Sequence, residues 1–375
     1  MVIVQQVDRD DRRQVRRFVD FPYRLYEGHA QWVPPIRGDI RTMLDRDKHP
    51  FYEHSEADFF IAKQGDEVVG RIAALENRAY NRYHDAKTAN FYLFETVDDR
   101  AVSDALFERV VNWAKQRGLT EIVGPKGFGA LDGYGLLVEG FEHRQMMTMM
   151  NYNHAYYPRL IEAMGFEKLV DFVSCYIHIE NFKLPERVHR IAQRVLERGS
   201  LEVKRFKSAR ELKSWTERIR RAYNHAFVDN WEFYPLTERE AQFFMDNAIG
   251  LSDPRLIKII SHGEEMVGFL FGFPDVSAAL QRAKGRLTPW ALVDLLLEMR
   301  RTKWLALNGV GLVPEFQGIG GNALLYAEME NTIRERDFEH ADLTQVAETA
   351  VQMRKDLENV GGKMYKNHRV YRLVL

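Results

Sequence analysis

Apolar positions along this chain switch between two rhythms. Val15, Phe18, Val19, Tyr23 and Tyr26 recur at steps of three and four and predict a helix over Arg12–Tyr26, behind a short strand at Val2–Val7. Trp32-Val33-Pro34-Pro35 must be extended, because each proline disfavours helix in the residue before it. Ala57–Lys63 and Val68–Leu75 are dense in apolar residues around Gly65-Asp66, which reads as a hairpin. A strand follows at Ala89–Val97. The spacing of Val102, Leu106, Val110 and Ala114 then predicts a helix over Arg100–Arg117, ended by Gly118. Glu121–Gly124 is a strand, 126–150 a glycine- and methionine-rich insert of loops, Tyr156–Met164 a short helix and Asp171–Ile179 a strand. A helix over Arg187–Arg198 leads to the second half.

The second half repeats the order. Leu201–Lys207 reads as a strand, Ala209–Phe227 as helical, and Glu238–Ile249 as a helix opened by a Thr237/Glu240 capping box. Leu256–Ser261 and Met266–Phe273 form a hairpin. Trp304–Val313 is a strand, Ala323–Arg336 a helix, Ala341–Val346 a strand, Val351–Val360 a helix, and Arg369–Leu375 the closing strand. Two short strings test the repeat. Gly65–Gly70 (GDEVVG) resembles Gly263–Gly268 (GEEMVG), 198 residues on, and Ile161–Gly165 resembles Leu357–Gly361, 196 residues on. A tandem duplication follows, divided into 1–197 and 198–375, with an extra segment over Ala278–Lys303 in the second copy.

Composition narrows the class without choosing a chemistry. The 375 residues are 45% hydrophobic and carry a formal net charge of −1, which points to packed domains and gives no footprint for nucleic acid or a membrane. No apolar run approaches the ~20 residues that cross a bilayer, and the N-terminus lacks a signal layout, so a cytoplasmic protein is expected. Cys175, the one cysteine, excludes an internal disulfide and a paired-cysteine metal site. In its apolar strand it reads as a small core residue. His49 and His54 read as surface histidines.

Candidate chemistry concentrates in Gly309–Tyr326, GVGLVPEFQGIGGNALLY. Pro314 stops a strand, Gln317-Gly318-Ile319-Gly320-Gly321-Asn322 forms an uncharged glycine-rich turn, and Ala323 opens a helix. Such a junction aims backbone N–H groups and the positive helix end at an anion. The string V-P-x-x-Q-G-x-G resembles the acyl-CoA-binding motif of the GNAT N-acyltransferase superfamily, with Gln317 and Gly320 in matching positions and Asn322 where Gly or Ala is usual. The element order of each copy resembles the same fold, a mixed, largely antiparallel sheet flanked by helices (α/β).

That resemblance implies acyl transfer from acetyl-CoA or another acyl-CoA, without a metal, to a small-molecule or peptide amine. It implies cofactor contacts from Gln317, Gly318, Ile319, Gly320, Gly321, Asn322 and Ala323, and from the main chain of Leu312 and Val313. Candidate bases are Asp342 and, better placed at a strand end, Glu348. The superfamily's usual tyrosine acid is replaced by Leu357, leaving Tyr365 or Tyr371 as substitutes. The first copy has Asp98-Asp99 at the equivalent junction, which would repel a pyrophosphate, and should not bind CoA that way. Methionines, aromatics and asparagines over 146–157 could instead wall an acceptor pocket. A non-catalytic CoA-binding protein and an aminoacyl or long-chain acyl transferase are the alternatives. Oligomeric state, a homodimer included, is open.

Overall fold

The computed structural model describes residues 1–129, 132–146, 150–249 and 252–375. In chain order the elements are β1 (Val2–Gln6), α1 (Arg12–Leu25), α2 (Arg37–Leu44), β2 (Glu56–Gln64), β3 (Glu67–Glu76), α3 (Arg78–His84), β4 (Thr88–Thr96), α4 (Arg100–Gln116), β5 (Glu121–Gly124), β6 (Leu136–Glu139), α5 (Tyr157–Glu162) and β7 (Glu167–His178). There follow α6 (Glu186–Arg198), β8 (Glu202–Lys204), α7 (Ala209–Lys213), α8 (Thr216–Ala226), α9 (Glu238–Ile249), β9 (Ile257–His262), β10 (Glu265–Pro274), α10 (Ser277–Ala283), α11 (Pro289–Arg301), β11 (Trp304–Leu312), α12 (Gly321–Glu335), β12 (His340–Ala347), α13 (Val351–Asn359) and β13 (Lys363–Val374).

The chain forms two compact units that do not follow a single cut. The first holds Met1–Val173, Ser277–Leu296 and Tyr365–Leu375, the second Ser174–Val276 and Leu297–Met364. In the first, strands run in the order β1-β2-β3-β4-β5-β13, with β6 also on β13. All pair antiparallel except β4 and β5, which run parallel from Thr88↔Glu121. Phe60, Ile72, Phe91, Leu106 and Phe107 fill one face of this sheet, and Phe18, Ile40, Phe51, Phe59 and Phe128 the other. In the second unit the order is β8-β9-β10-β11-β12, parallel only between β11 and β12. Its core joins Ile259, Phe269 and Leu305 to Leu324, Leu325 and Met329 of α12.

The two halves share local features of their hairpins and strands. Ala62↔Gly70 and Ile260↔Gly268 both sit beside a bulge in their hairpins, 198 residues apart. Leu93 in β4 and Gly309 in β11 both have positive φ (50° and 80°), 216 residues apart. The Thr237/Glu240 capping box forms in both directions, at 2.8 and 3.2 Å.

Several expectations are revised. The helix expected over Ala209–Phe227 breaks into α7 and α8, with Trp215 leaving helical geometry between them. The 126–150 insert is not all loop: β6 lies within it and pairs with β13. The closing strand begins at Lys363, and from Tyr365 onward it joins the first unit, Tyr371 pairing with Gly124. Period-two patterning identifies a strand but not its partner. His49 is buried, accepting the Phe51 N–H and packing on Phe128 at 5.3 Å. The segment Ala278–Lys303 forms α10 and α11.

Candidate functional site

The site in the second unit begins where β11 and β12 part. They pair in parallel only from Trp304↔His340 to Leu307↔Leu343, while β11 continues against β10 as far as Leu312. The Gly309 bulge lies just past the last shared pair. Val313 N–H bonds Val267 O at 2.9 Å. By antiparallel alternation, the peptide groups of Leu312, one residue earlier, turn to the edge that β12 has left. Its carbonyl accepts Gln317 Nε2 at 3.3 Å, which ties the glycine turn to the strand. The Val313 carbonyl accepts the Phe316 N–H at 3.0 Å, so both main-chain groups of Val313 already have partners.

The turn then climbs onto α12. Gly318 (φ 76°) and Gly320 (φ 100°) lie where L-residues are strained. Gly321, Asn322 and Ala323 form the first turn of α12, whose N–H groups have no intrahelical acceptor, and no side chain caps them. The equivalent place in the first unit is closed. There α4 starts three residues after Val97, against eight after Val313, and Asp99 caps it through the Ala101 N–H at 2.9 Å. Asp98 pairs with Arg159.

The splayed edge of β4 in the first unit is also filled by the protein itself. The Thr96 N–H bonds Tyr157 Oη at 2.9 Å, and Tyr156 Oη donates to Thr96 O at 2.6 Å. Glu95, beside them, accepts from Tyr26 at 2.6 Å and Tyr157 at 2.8 Å, with Arg71 at 3.8 Å. Burial raises the Glu95 carboxyl above its usual range against the pull of Arg71. No pattern in the sequence announces this network, because its members are spread over 26–157.

In the second unit a helix lies against the glycine turn. A Cβ on Gly320 would stand 2.7 Å from Val195 and 2.8 Å from Ile191, so α6 rests directly on the turn. Ile191 shares a helix face with Arg187, Arg194 and Arg198, at i−4, i+3 and i+7. All three arginines are exposed and none has an acidic partner among the described residues. An open helix N-terminus thus has a row of unpaired cations on the helix packed against it. The signal was arginine at three- and four-residue steps.

The remaining predicted residues lie elsewhere. Asp342 is fully buried within β12, opposite Ala306. Glu348 is the first residue beyond β12 and is half-buried. Leu357 packs with Cys175, Ile177 and Ala341, an apolar cluster that burial makes unsuited to a titrating hydroxyl. The same burial raises the Cys175 thiol to about 12. Tyr365 stands in the first unit, edge-on to His143 at 4.9 Å, and Tyr371 there donates to Glu162 at 2.9 Å. Of the stretch over 146–157, residues 147–149 lie outside the described residues. Asn153 bonds both main-chain groups of Leu137, and Asn151 bonds Gly135 O, so the two asparagines fasten the β6 segment. Among the described residues no cluster of three His, Cys, Asp or Glu could hold a metal, and no helix is long and apolar enough to cross a membrane.

No protein-family model matches the chain. The bacterial ceramide synthase of Caulobacter vibrioides is 28% identical over 96% of this chain and 95% of its own. Protein YghO of Escherichia coli K12 is 26% identical over 96% of this chain and 93% of its own. Among solved structures, a tandem GNAT protein from the clavulanic acid biosynthesis pathway covers 100% of this chain and 98% of its own, at TM-score 0.57 and 11% identity. A GCN5-related N-acetyltransferase from Sphaerobacter thermophilus covers 100% and 95%, at TM-score 0.52 and 12% identity.

Proposed function

We propose that this chain, which has the tandem GNAT fold, is an acyl-CoA-dependent N-acyltransferase whose donor site lies in the second unit. The observation that carries the reading is the continuity from the open edge of β11 at Leu312, through the Gln317–Gly321 turn, to the uncapped N-terminus of α12. An extended thioester arm can pair with the free edge of a strand, and a pyrophosphate suits bare N–H groups at a helix start. Arg187, Arg194 and Arg198 would add positive charge for the nucleotide phosphates. The first unit, with its edge filled and its junction capped by Asp99, would not take a second CoA.

In the reaction the acceptor nitrogen attacks the thioester carbonyl. The C–N bond forms, the C–S bond breaks to release CoA as a thiolate, and the proton lost by the nitrogen passes by way of the base and solvent to that thiolate. Glu348, just past the parting strands, is the base in this reading, directly or through water. The backbone N–H on the open edge at Leu312 would meet the developing oxyanion. Asp342, sealed within β12, is the poorer base.

Calorimetry with acetyl-CoA and longer acyl-CoAs tests the donor. No heat with any of them would sink the reading. A binding chain in which Glu348→Gln keeps affinity and loses turnover supports the base. Normal turnover in that variant would remove Glu348 from the role. A second reading, long-chain acyl transfer to a long-chain amino alcohol, is favoured by the similarity to the ceramide synthase across nearly the whole chain. It expects longer acyl-CoAs to bind more tightly than acetyl-CoA.

A further inference from the structure

Most exposed large apolar side chains on the described surface stand singly, as is ordinary. One group does not. Leu287, Trp290, Leu292, Val293, Leu296 and Leu297 follow one another just before and along α11, and Trp290 is 83% exposed. Ala291 and Leu295, four residues apart, are buried and face the protein. Trp290, Val293 and Leu297, at three- and four-residue steps, share the outward side. The helix is apolar on both sides, yet only one side is covered.

The segment leading into the helix is firmly held. Gln281 Nε2 donates to Ala30 O at 2.7 Å and Trp32 O at 2.9 Å, and Arg37 N–H bonds Gly285 O at 2.9 Å. Arg282 grips Asp294 at 2.8 and 3.0 Å. That pair ties α11 to α10, and the outward stripe is presented to solvent. Its two ends are basic: Lys284 and Arg286 precede it, and Arg300 and Arg301 close it. All four are exposed and none has an acidic partner among the described residues.

We infer that the outward face of α11 docks this protein on an anionic lipid bilayer, with the helix lying in the headgroup plane. An apolar stripe with an exposed tryptophan and basic residues at both ends suits that boundary, where the apolar face sinks below the headgroups and the cations meet them. Thirteen residues span about 20 Å, too short to cross the bilayer and ample to lie on it. A second copy fits poorly. Parallel or antiparallel, two such helices would set basic end against basic end. The expectation of no membrane partner rested on overall charge and run length, neither of which reports which apolar residues face outward. This inference does not depend on the acyl-transfer reading.

Flotation of the full chain with vesicles tests it. The chain should float with phosphatidylcholine–phosphatidylglycerol vesicles and far less with phosphatidylcholine alone. Trp290→Glu combined with Val293→Glu should weaken partitioning about tenfold or more. Arg300→Glu with Arg301→Glu should weaken it most at low salt, and keeps the test decisive if the first variant misfolds. Failure of the parent chain to float with the anionic vesicles would overturn the inference. So would unchanged flotation of the charge-reversed variant, or a dimer in light scattering that Trp290→Glu dissociates.

Discussion

Gly318 and Gly320 look alike in sequence and differ in what surrounds them. Nothing stands within 4 Å of a Cβ built on Gly318, whereas one on Gly320 would strike Val195 and Ile191. Gly320→Ala should therefore lower stability by more than about 2 kcal/mol, from left-handed strain plus the collision with α6. Gly318→Ala should lose only about 1 kcal/mol of stability while weakening acetyl-CoA binding. Thermal unfolding and calorimetry on the two variants separate scaffold from site, and unaltered binding by Gly318→Ala would count against the cradle. His368 makes a second prediction. It is fully buried, its Nε2–H donates to Asn151 O at 3.0 Å, and Nδ1 has no partner among the described residues. Burial, against that hydrogen bond, pushes its pKa down to about 4. The unfolded chain therefore takes up this proton first. Stability from this group is complete above about pH 6.5 and is lost as pH falls toward 4, by about 3 kcal/mol in all. Denaturant midpoints across that range should fall for the parent chain and fall less for His368→Gln.

At the scale of elements, the parting of β11 from β12 and the seating of α6 on the glycine turn decide the candidate site. The strand Trp304–Val313 was legible from its apolar run, and Gly309 hinted at its bulge. The matching bulge at Leu93 was hidden, since leucine seldom takes positive φ. The arginine row on α6 was open to reading, but its use depends on what α6 packs against. Arg194→Glu combined with Arg198→Glu should weaken acetyl-CoA binding about tenfold at low ionic strength, and the difference from the parent chain should shrink in high salt. Equal loss at all salt concentrations would mean that the arginines act through structure rather than charge.

Across the whole molecule, the ends of the chain meet in one unit. Residues Tyr365–Leu375 pair with β5 and β6, and Asp171 binds Arg369 at 2.8 Å and Asn367 at 3.0 Å. Despite its burial, these partners hold the Asp171 carboxyl down at about 2. Removing Tyr365–Leu375 should destabilise the first unit, although the lost residues are last in sequence. Hydrogen exchange should then show lost protection in β5 first. Protection unchanged in β5 would contradict the pairing.

The sequence carried most of the elements, the likeness of its two halves and the glycine turn, because hydrophobic period, capping residues and glycine act locally, but not α2, α3, β6 or the break between α7 and α8. It also carried the absence of a tyrosine at Leu357 and the acidic junction Asp98-Asp99. Only the tertiary structure decided that β13 serves the first unit, that Tyr156 and Tyr157 fill the edge of β4, and that α6 lies on Gly320. It alone decided that the outer side of α11 is left bare. Pairing partners, burial and exposure are set by residues far apart in the chain, and no local pattern encodes them.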